Sequence, residues 1–209
     1  HIEGFGSFEN VRKAKSELYQ SLRQNNGTVI YNDENPILRE LAAGIGNTVT
    51  YSAPGSHTLM ARAAEGEGML LRVEAGIDGR EYRFDTGLFG SYNLDNVRAA
   101  MAAGLLFDIP AEEIVDAVSS YRPANNRSQV SETERNTVIR DAYNANPSSM
   151  EKAIASFAAL KAEKKMVILG DMLELGSASA EGHASVVRQA LSLGAAEVVL
   201  VGPLFREAA

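Results

Sequence analysis

The ten residues 141–150, DAYNANPSSM, combine side chains that could bind a charged ligand. They offer an acid (Asp141), an aromatic ring and two amides (Asn144 and Asn146), directly after a short apolar strand. Asn146 suits the N-cap of the following helix and Pro147 its first position. Open α/β sheets bind their ligands at the carboxyl ends of strands. The segment is therefore a candidate site, although a well-capped loop without chemistry is slightly favoured when the segment is taken alone.

A second segment, LGDMLELG at residues 169–176, follows another predicted strand. It supplies Asp171 and Glu174, and His183 lies early in the next predicted helix. These acids and glycines could orient an incoming amine or only form a turn, and the structural role is favoured. Between residues 137 and 201, three apolar strands alternate with two helices. This order predicts a right-handed parallel α/β unit.

Two predicted domains must position these residues. The segment 121–126 lacks periodicity and is interpreted as a linker, so residues 1–124 and 125–209 are predicted to form separate domains. In the first domain, two strands on either side of residues 75–79 predict a hairpin with a longer loop. The stretch 52–68 is rich in Pro, Gly and small residues, and we expect little regular structure there.

Composition excludes several functional classes. The chain has 209 residues, 45% of them hydrophobic, which is ordinary for a globular protein. Its net charge of -7 is spread along the sequence, with no basic stripe that would suggest nucleic-acid binding. We find neither an apolar stretch long enough to cross a bilayer nor a signal-peptide pattern. The absence of cysteine excludes disulfide and thiolate chemistry and permits a cytosolic setting.

Several segments, kept in order over nearly the whole chain, resemble the Mur ligase family. They are DAYNANPSSM, LGDMLELG with His183 beyond it, the opening HIEGFGS, and KAKSELY at residues 13–19. The best match is to the members that add D-alanyl-D-alanine to UDP-N-acetylmuramoyl-tripeptide. The resemblance implies an ATP-dependent amide ligase of cytoplasmic peptidoglycan synthesis that uses ATP and Mg²⁺. It also implies a monomeric parent enzyme with no nucleic-acid partner and no membrane segment.

The same resemblance implies an α/β fold that is only part of such an enzyme. Residues 1–124 would be the second half of the central ATPase domain, and residues 125–209 the front of a Rossmann-like parallel α/β C-terminal domain. The phosphate-loop pattern GxxxxGK[ST] does not occur, and the G-x-G at residues 4–6 lacks its lysine and preceding strand. We therefore expect the phosphate loop to lie upstream of His1 in a parent protein, and this chain alone to lack ligase activity.

Two metal-site residues follow from the resemblance. Lys15, in a helix predicted over residues 8–24, would be interpreted as a solvated side chain on sequence alone. In the family, the lysine at this position reacts with carbon dioxide to give a carbamate, whose two oxygens suit magnesium. His1 matches a histidine ligand of a second magnesium ion, and a frayed terminus is the structural alternative.

Five further residues match nucleotide contacts of the family. Asn93 and Asn96 match asparagines near the adenine, whose edge an amide can both donate to and accept from. Asn93 could instead serve only as an N-cap. Arg127 matches an arginine that reaches ATP phosphate when the domains close, as its forked donors permit, although a surface role is common for such residues. Asp141 matches an acid that contacts the nucleotide, and Asn144 follows where the family places groups facing the active site.

Two alternatives stay open. One is another member of the superfamily, either the ligase that adds the third peptide residue or folylpolyglutamate synthase. The wording of DAYNANPSSM argues against both. The other is a non-catalytic α/β binding module, in which the acids and amides only cap helices.

Overall fold

The structure is a computed structural model and describes residues 2–51, 59–65 and 68–209. The helices are α1 (Ile2–Phe5), α2 (Phe8–Gln24), α3 (Pro36–Ala42), α4 (Leu94–Leu106), α5 (Ala111–Ser120), α6 (Pro147–Ala159), α7 (Ser179–Ser192) and α8 (Pro203–Ala208). The strands are β1 (Thr28–Asn32), β2 (Asn47–Tyr51), β3 (Leu59–Ala63), β4 (Leu70–Ile77), β5 (Arg80–Phe89), β6 (Gln129–Glu132), β7 (Thr137–Arg140), β8 (Met166–Gly170) and β9 (Glu197–Val201). Parallel and antiparallel pairings both occur, so the protein is of mixed α/β class, as the sequence predicts.

The chain separates into two compact units that alternate along the sequence. The larger unit comprises Lys13–Ala124 and Ser128–Ile139, and the smaller unit comprises the start of the chain to Arg12, Asn125–Arg127 and Arg140–Ala209. The division into domains 1–124 and 125–209 stays a prediction.

The core of the larger unit lies between an antiparallel sheet and two helices. The sheet has the strand order β3-β4-β5, and β1 and β2 pair in parallel beside each other. Along β4, buried and less buried side chains alternate, as expected for a strand with one face on a core. Val73 and Ile77 of this face pack with Val97 and Met101 of α4 and Ile114 of α5. The sheet therefore fixes the position of α4, which carries the predicted site residue Asn96 and directly follows Asn93.

The hairpin and the irregular stretch differ from the sequence-based expectation. β4 and β5 pair antiparallel, but Ile77 lies opposite Arg80, so the predicted longer loop is wrong. Asp78 and Gly79 form a two-residue turn with φ of 49° and 78°, which the sequence Asp-Gly favours. Within the stretch expected to be irregular, β3 is a regular strand because it pairs with β4 along its length.

Polar contacts tie the first turn of α4 to neighbouring strands. Arg98 Nε donates to the carbonyl oxygen of Ala61 in β3 at 2.7 Å. Asn32 Nδ2, at the end of β1, donates to Asp95 Oδ2 at 3.3 Å. Arg98 Nη1 also lies 3.2 Å from Asp95 Oδ1. The start of α4 is thus held against the middle of β3 and the end of β1.

The smaller unit contains a parallel strand pair with helices packed on it. β8 and β9 run parallel, and α7 between them buries Val186, Val187 and Ala190. Of the three strands predicted to alternate with helices, only these two pair with each other, because β7 pairs with β6 in a separate two-stranded sheet. In the described part of the chain, no helix is both long and apolar enough to cross a membrane.

The helix start predicted at residues 146 and 147 is confirmed. Asn146 Oδ1 accepts the Ser149 backbone N–H at 3.0 Å, and Ser149 Oγ accepts the Asn146 N–H at 3.1 Å. This reciprocal capping box satisfies two backbone donors at the start of α6, where Pro147 needs none. The loop of DAYNANPSSM is therefore fixed at its carboxyl end.

Candidate functional site

Asn93 lies buried immediately before α4 and binds to two partners. Its Nδ2 donates to the carbonyl oxygen of Phe89 at 2.8 Å and to Ser128 Oγ at 2.9 Å. The side chain makes no capping hydrogen bond to α4, so the interpretation of Asn93 as a simple N-cap is wrong. The reason is its helical backbone, with φ of -80° and ψ of -4°, whereas a capping residue normally has extended backbone. Asn93 instead links the end of β5 to the segment before β6.

Asn96, one turn further along α4, presents an exposed amide that Asn93 orients. Its Nδ2 donates to Asn93 Oδ1 at 3.0 Å. Since Asn93 is fixed by its own donors, the direction of this bond sets which edge of the Asn96 amide faces solvent. Within the described ranges, the Asn96 oxygen and its second N–H have no partner. An amide edge of this kind can accept from and donate to a purine.

Ser128 completes this cluster and was missed by sequence reasoning. It is buried, has a φ of 48°, and its hydroxyl lies 3.0 Å from the Tyr92 hydroxyl as well as near Asn93. Its carbonyl oxygen accepts the Phe89 N–H at 3.3 Å. No local pattern marks this serine, because its partners lie up to 36 residues away.

Tyr51 in β2 also lies near the start of α4. Burial raises the pKa of its phenol above the ordinary value, and the negative charge of Asp95 raises it further. The phenol is therefore neutral at physiological pH and adds no charge beside α4.

Arg127 and the DAYNANPSSM segment meet within the smaller unit. The carbonyl oxygen of Asn126 accepts the Ala142 N–H at 2.7 Å, which aligns the two stretches of chain. The Arg127 guanidinium carbon lies 3.8 Å from the centroid of the Tyr143 ring, a cation–π contact. Asp141 lies in the same segment and is exposed. The structure thus places Arg127 beside the segment that carries Asp141.

Asn144 is exposed and engaged locally. Its Oδ1 accepts the Ala145 N–H at 2.9 Å, which stabilises the loop before α6. Its amide N–H groups make no hydrogen bond to any residue in the described ranges. Asn144 can therefore donate to a ligand but is less able to accept from one.

The structure describes only one of the two predicted metal-site residues. Lys15 is exposed on α2, and His1 lies outside the described residues. Among residues 2–51, 59–65 and 68–209, no group of three or more His, Asp or Glu could hold a metal ion. Magnesium binds oxygen ligands, which an unmodified lysine lacks. The described side chains therefore do not build a magnesium site by themselves.

The second motif forms a closed polar cluster in the smaller unit. Asp171 accepts the backbone N–H groups of Leu204 at 3.0 Å and Phe205 at 2.9 Å, which caps α8. Fully buried His183 accepts the Met172 N–H at Nε2, at 3.0 Å, and its Nδ1 lies 2.7 Å from the Ser179 carbonyl oxygen. A carbonyl can only accept, so Nδ1 carries the proton and the ring is neutral. The 4.0 Å separation between Nε2 and Asp171 is therefore no ion pair, and the geometry supports a structural role.

Comparison with known protein families identifies the family of the chain. Residues 1–104 match the Mur ligase middle domain, and residues 126–209 match the Mur ligase, glutamate ligase domain. The chain belongs to the Mur ligase family. Only residues 105–125 of this Mur ligase chain lie outside the two matches.

Individual relatives of this Mur ligase chain agree with the assignment. The UDP-N-acetylmuramoyl-tripeptide–D-alanyl-D-alanine ligase of Bacillus subtilis (strain 168) is 31% identical over 185 residues, which cover 88% of this chain and 39% of the relative. MurF from Acinetobacter baumannii superposes with a TM-score of 0.84 at 25% identity, covering 100% of this chain and 46% of that one.

A third similarity concerns the fold alone. The MurF ligase from Thermotoga maritima, solved in complex with ADP, has a TM-score of 0.77 at 19% identity and covers 96% of this chain and 49% of its own. This chain therefore spans less than half the length of each of these Mur ligases.

Proposed function

We propose that the chain is part of an ATP-dependent ligase that joins D-alanyl-D-alanine to UDP-N-acetylmuramoyl-tripeptide. The name of the Bacillus subtilis relative supports this substrate pair. In the structure, the single observation that carries the proposal is the exposed Asn96 amide held in one orientation by buried Asn93. A surface asparagine needs no such support unless its direction matters to a ligand.

The proposed chemistry has two steps. The terminal carboxylate of the tripeptide attacks the γ-phosphoryl group of ATP, which gives an acyl phosphate and ADP. The amine of D-alanyl-D-alanine then attacks the acyl carbon, the new amide forms, and inorganic phosphate leaves. Catalysis of phosphoryl transfer depends chiefly on positioning and on stabilising negative charge.

The residues of this chain would act on the nucleotide. Asn96 binds the adenine edge, and the donors of Arg127 bind phosphate oxygens. Asp141 and the amide of Asn144 contact the nucleotide from the DAYNANPSSM loop. We propose Mg²⁺ as the counter-ion of the phosphates. Lys15 would be a ligand only in its carbamate form, and His1 would be a ligand of a second magnesium ion. The parent enzyme is proposed to be cytoplasmic and monomeric.

The test is a ligation assay on the full-length parent protein. With ATP, UDP-N-acetylmuramoyl-tripeptide and D-alanyl-D-alanine, we expect equal amounts of phosphate and amide product, measured by phosphate release and mass spectrometry. The 209-residue chain alone is expected to give no product. Turnover by this chain would contradict the expectation that it is inactive without a phosphate loop.

Two substitutions test the site. Asp141→Ala and Lys15→Ala are each expected to lower ligase activity at least tenfold, a loss of about 1.4 kcal/mol in transition-state stabilisation. Lys13→Ala, on the same helix as Lys15, is the matched control and should leave activity unchanged. If neither site variant affects ligation, the catalytic assignment fails.

The alternatives give other outcomes in the same assay. Addition of the third peptide residue, or of glutamate to a folate, would identify another member of the superfamily. No turnover of any of these substrates by the full-length protein would favour a non-catalytic binding module.

A further inference from the structure

Arg127 packs its guanidinium on the ring of Tyr143 and keeps its N–H donors accessible. The guanidinium carbon lies 3.8 Å from the ring centroid, so the ring contacts the guanidinium group itself. Arg127 makes no hydrogen bond or ion pair with any residue in the described ranges. A guanidinium carries five N–H donors in its plane, and contact with a ring face leaves those donors accessible. The arginine is therefore placed without its donors being used.

Tyr143 itself has no visible structural duty. Its side chain is 63% exposed, although large aromatic residues usually bury most of their surface. It belongs to none of the three packed hydrophobic clusters of the described residues. A packing role therefore does not explain the ring, whereas its contact with Arg127 does.

Backbone geometry at residues 126 and 142 positions this contact. Asn126 has a left-handed φ of 58°, an uncommon conformation for a residue other than glycine. In this conformation its carbonyl oxygen accepts the Ala142 N–H at 2.7 Å, and its Oδ1 lies 3.5 Å from Arg140 Nη1. The hydrogen bond between residues 126 and 142 sets the next residues, Arg127 and Tyr143, side by side.

We propose that Tyr143 is a positioning residue that holds the Arg127 guanidinium so that its donors meet a phosphate of the nucleotide. This inference rests on the proposed function. Tyr143 does not contact the reacting atoms in this scheme. Its effect is to reduce the conformational freedom that a long arginine side chain would otherwise lose on binding phosphate.

The test uses the full-length enzyme and separates the ring from the hydroxyl. Tyr143→Leu is expected to raise the KM for ATP roughly two- to five-fold, the factor equivalent to an exposed cation–π contact of about 0.5–1 kcal/mol. Tyr143→Phe retains the ring face and should restore the KM of the unmodified enzyme. The KM for D-alanyl-D-alanine should not change in either variant. Tyr121→Leu removes another exposed tyrosine, and this matched control should leave both values unchanged.

A double variant decides whether the effect passes through Arg127. In an Arg127→Ala background, Tyr143→Leu should cause no further rise in the KM for ATP, because the group it positions is gone. Tyr143→Trp offers a stronger cation–π surface and should match or lower the KM of the unmodified enzyme. The proposal is overturned if Tyr143→Leu and Tyr143→Phe have the same KM, or if the effect persists without Arg127. Failure of the unmodified enzyme to join the two substrates would instead refute the proposed function.

Discussion

Two buried polar clusters, one in each unit, differ in whether all of their polar groups have partners inside the protein. In the smaller unit, Asp171 and His183 use both carboxylate oxygens and both ring nitrogens on partners inside the protein. In the larger unit, Asn93 is equally well bound, but it passes a hydrogen bond to an amide at the surface, that of Asn96. The first cluster is fully paired, whereas the second ends in an exposed amide whose oxygen has no partner among the residues that the structure describes.

This difference separates a structural motif from a ligand-facing one. Buried polar groups are almost always paired, so a fully paired cluster needs no further explanation than the fold. A surface group whose orientation is fixed by buried partners has lost conformational freedom without gaining stability in proportion. That loss is recovered when a ligand binds, which is the reason to assign chemistry to Asn96 and not to His183.

The largest stability effect is expected at the closed cluster. His183→Leu would leave the Met172 N–H and the Ser179 carbonyl oxygen without their partner in a dry site. We expect it to lower the free energy of unfolding of the smaller unit by about 2–4 kcal/mol. Urea denaturation of the 209-residue chain, followed by amide exchange at Met172, measures this. An unchanged midpoint and protected Met172 amide would mean that the ring is not needed.

A smaller loss is expected when the cap of α8 is removed. Asp171→Ala deprives Leu204 and Phe205 of their acceptor and should cost about 1–2 kcal/mol. Asp171→Asn keeps one acceptor oxygen, so its free energy of unfolding should lie between those of Asp171→Ala and the unmodified protein. Hydrogen exchange at the Leu204 and Phe205 amides measures the change locally. Equal exchange rates in the unmodified protein and both variants would show that Asp171 does not cap α8.

The polar cluster of the larger unit is tested at Ser128. Ser128→Ala removes one of the two acceptors of Asn93 Nδ2 and should cost about 1 kcal/mol of unfolding free energy. Ser128→Gly loses the same hydroxyl but suits the positive φ, so its cost should be smaller. Thermal unfolding of both variants compares them directly. An alanine variant as stable as the unmodified protein would show that the hydroxyl contributes nothing.

The smallest stability effect should accompany a large functional one. Asn96→Ala changes an exposed residue and should alter unfolding free energy by less than about 0.5 kcal/mol. In the full-length enzyme, however, it should raise the KM for ATP about tenfold, which corresponds to one hydrogen bond lost in a shielded site. Asn25→Ala, another exposed asparagine, is the matched control for both measurements. A KM for ATP equal to that of the control would show that Asn96 does not bind the nucleotide, and the two clusters would then not differ in function.

Local patterns in the sequence predicted local structure well. The helix predicted over residues 8–24 is α2, Phe8–Gln24, because its apolar residues recur at helical spacing. The start of α6 follows from Asn146, which exchanges capping hydrogen bonds with Ser149 within the first turn, and from Pro147 at the first helical position. The two-residue hairpin turn could also have been predicted, since the sequence Asp78-Gly79 strongly favours such a turn.

The polar clusters were not predictable in this way. Asn93 and Ser128 are 35 residues apart, and nothing local to either one indicates the other. The role of Asn93 as a link, and not a cap, depends on backbone angles that only the folded chain fixes. Arg127 and Tyr143 likewise meet through tertiary structure, so the sequence identified them as separate candidates at most.

The bond from Asn96 to Asn93 has a consequence for base selectivity under the proposed function. One N–H of Asn96 is committed to Asn93 Oδ1, so the amide cannot exchange the positions of its oxygen and nitrogen without losing that bond. The open oxygen then accepts from an exocyclic amino group, such as that at position 6 of adenine, and repels the keto oxygen that guanine carries there. The polarity of a single surface amide would thus distinguish ATP from GTP, and a buried neighbour would keep that polarity from reversing.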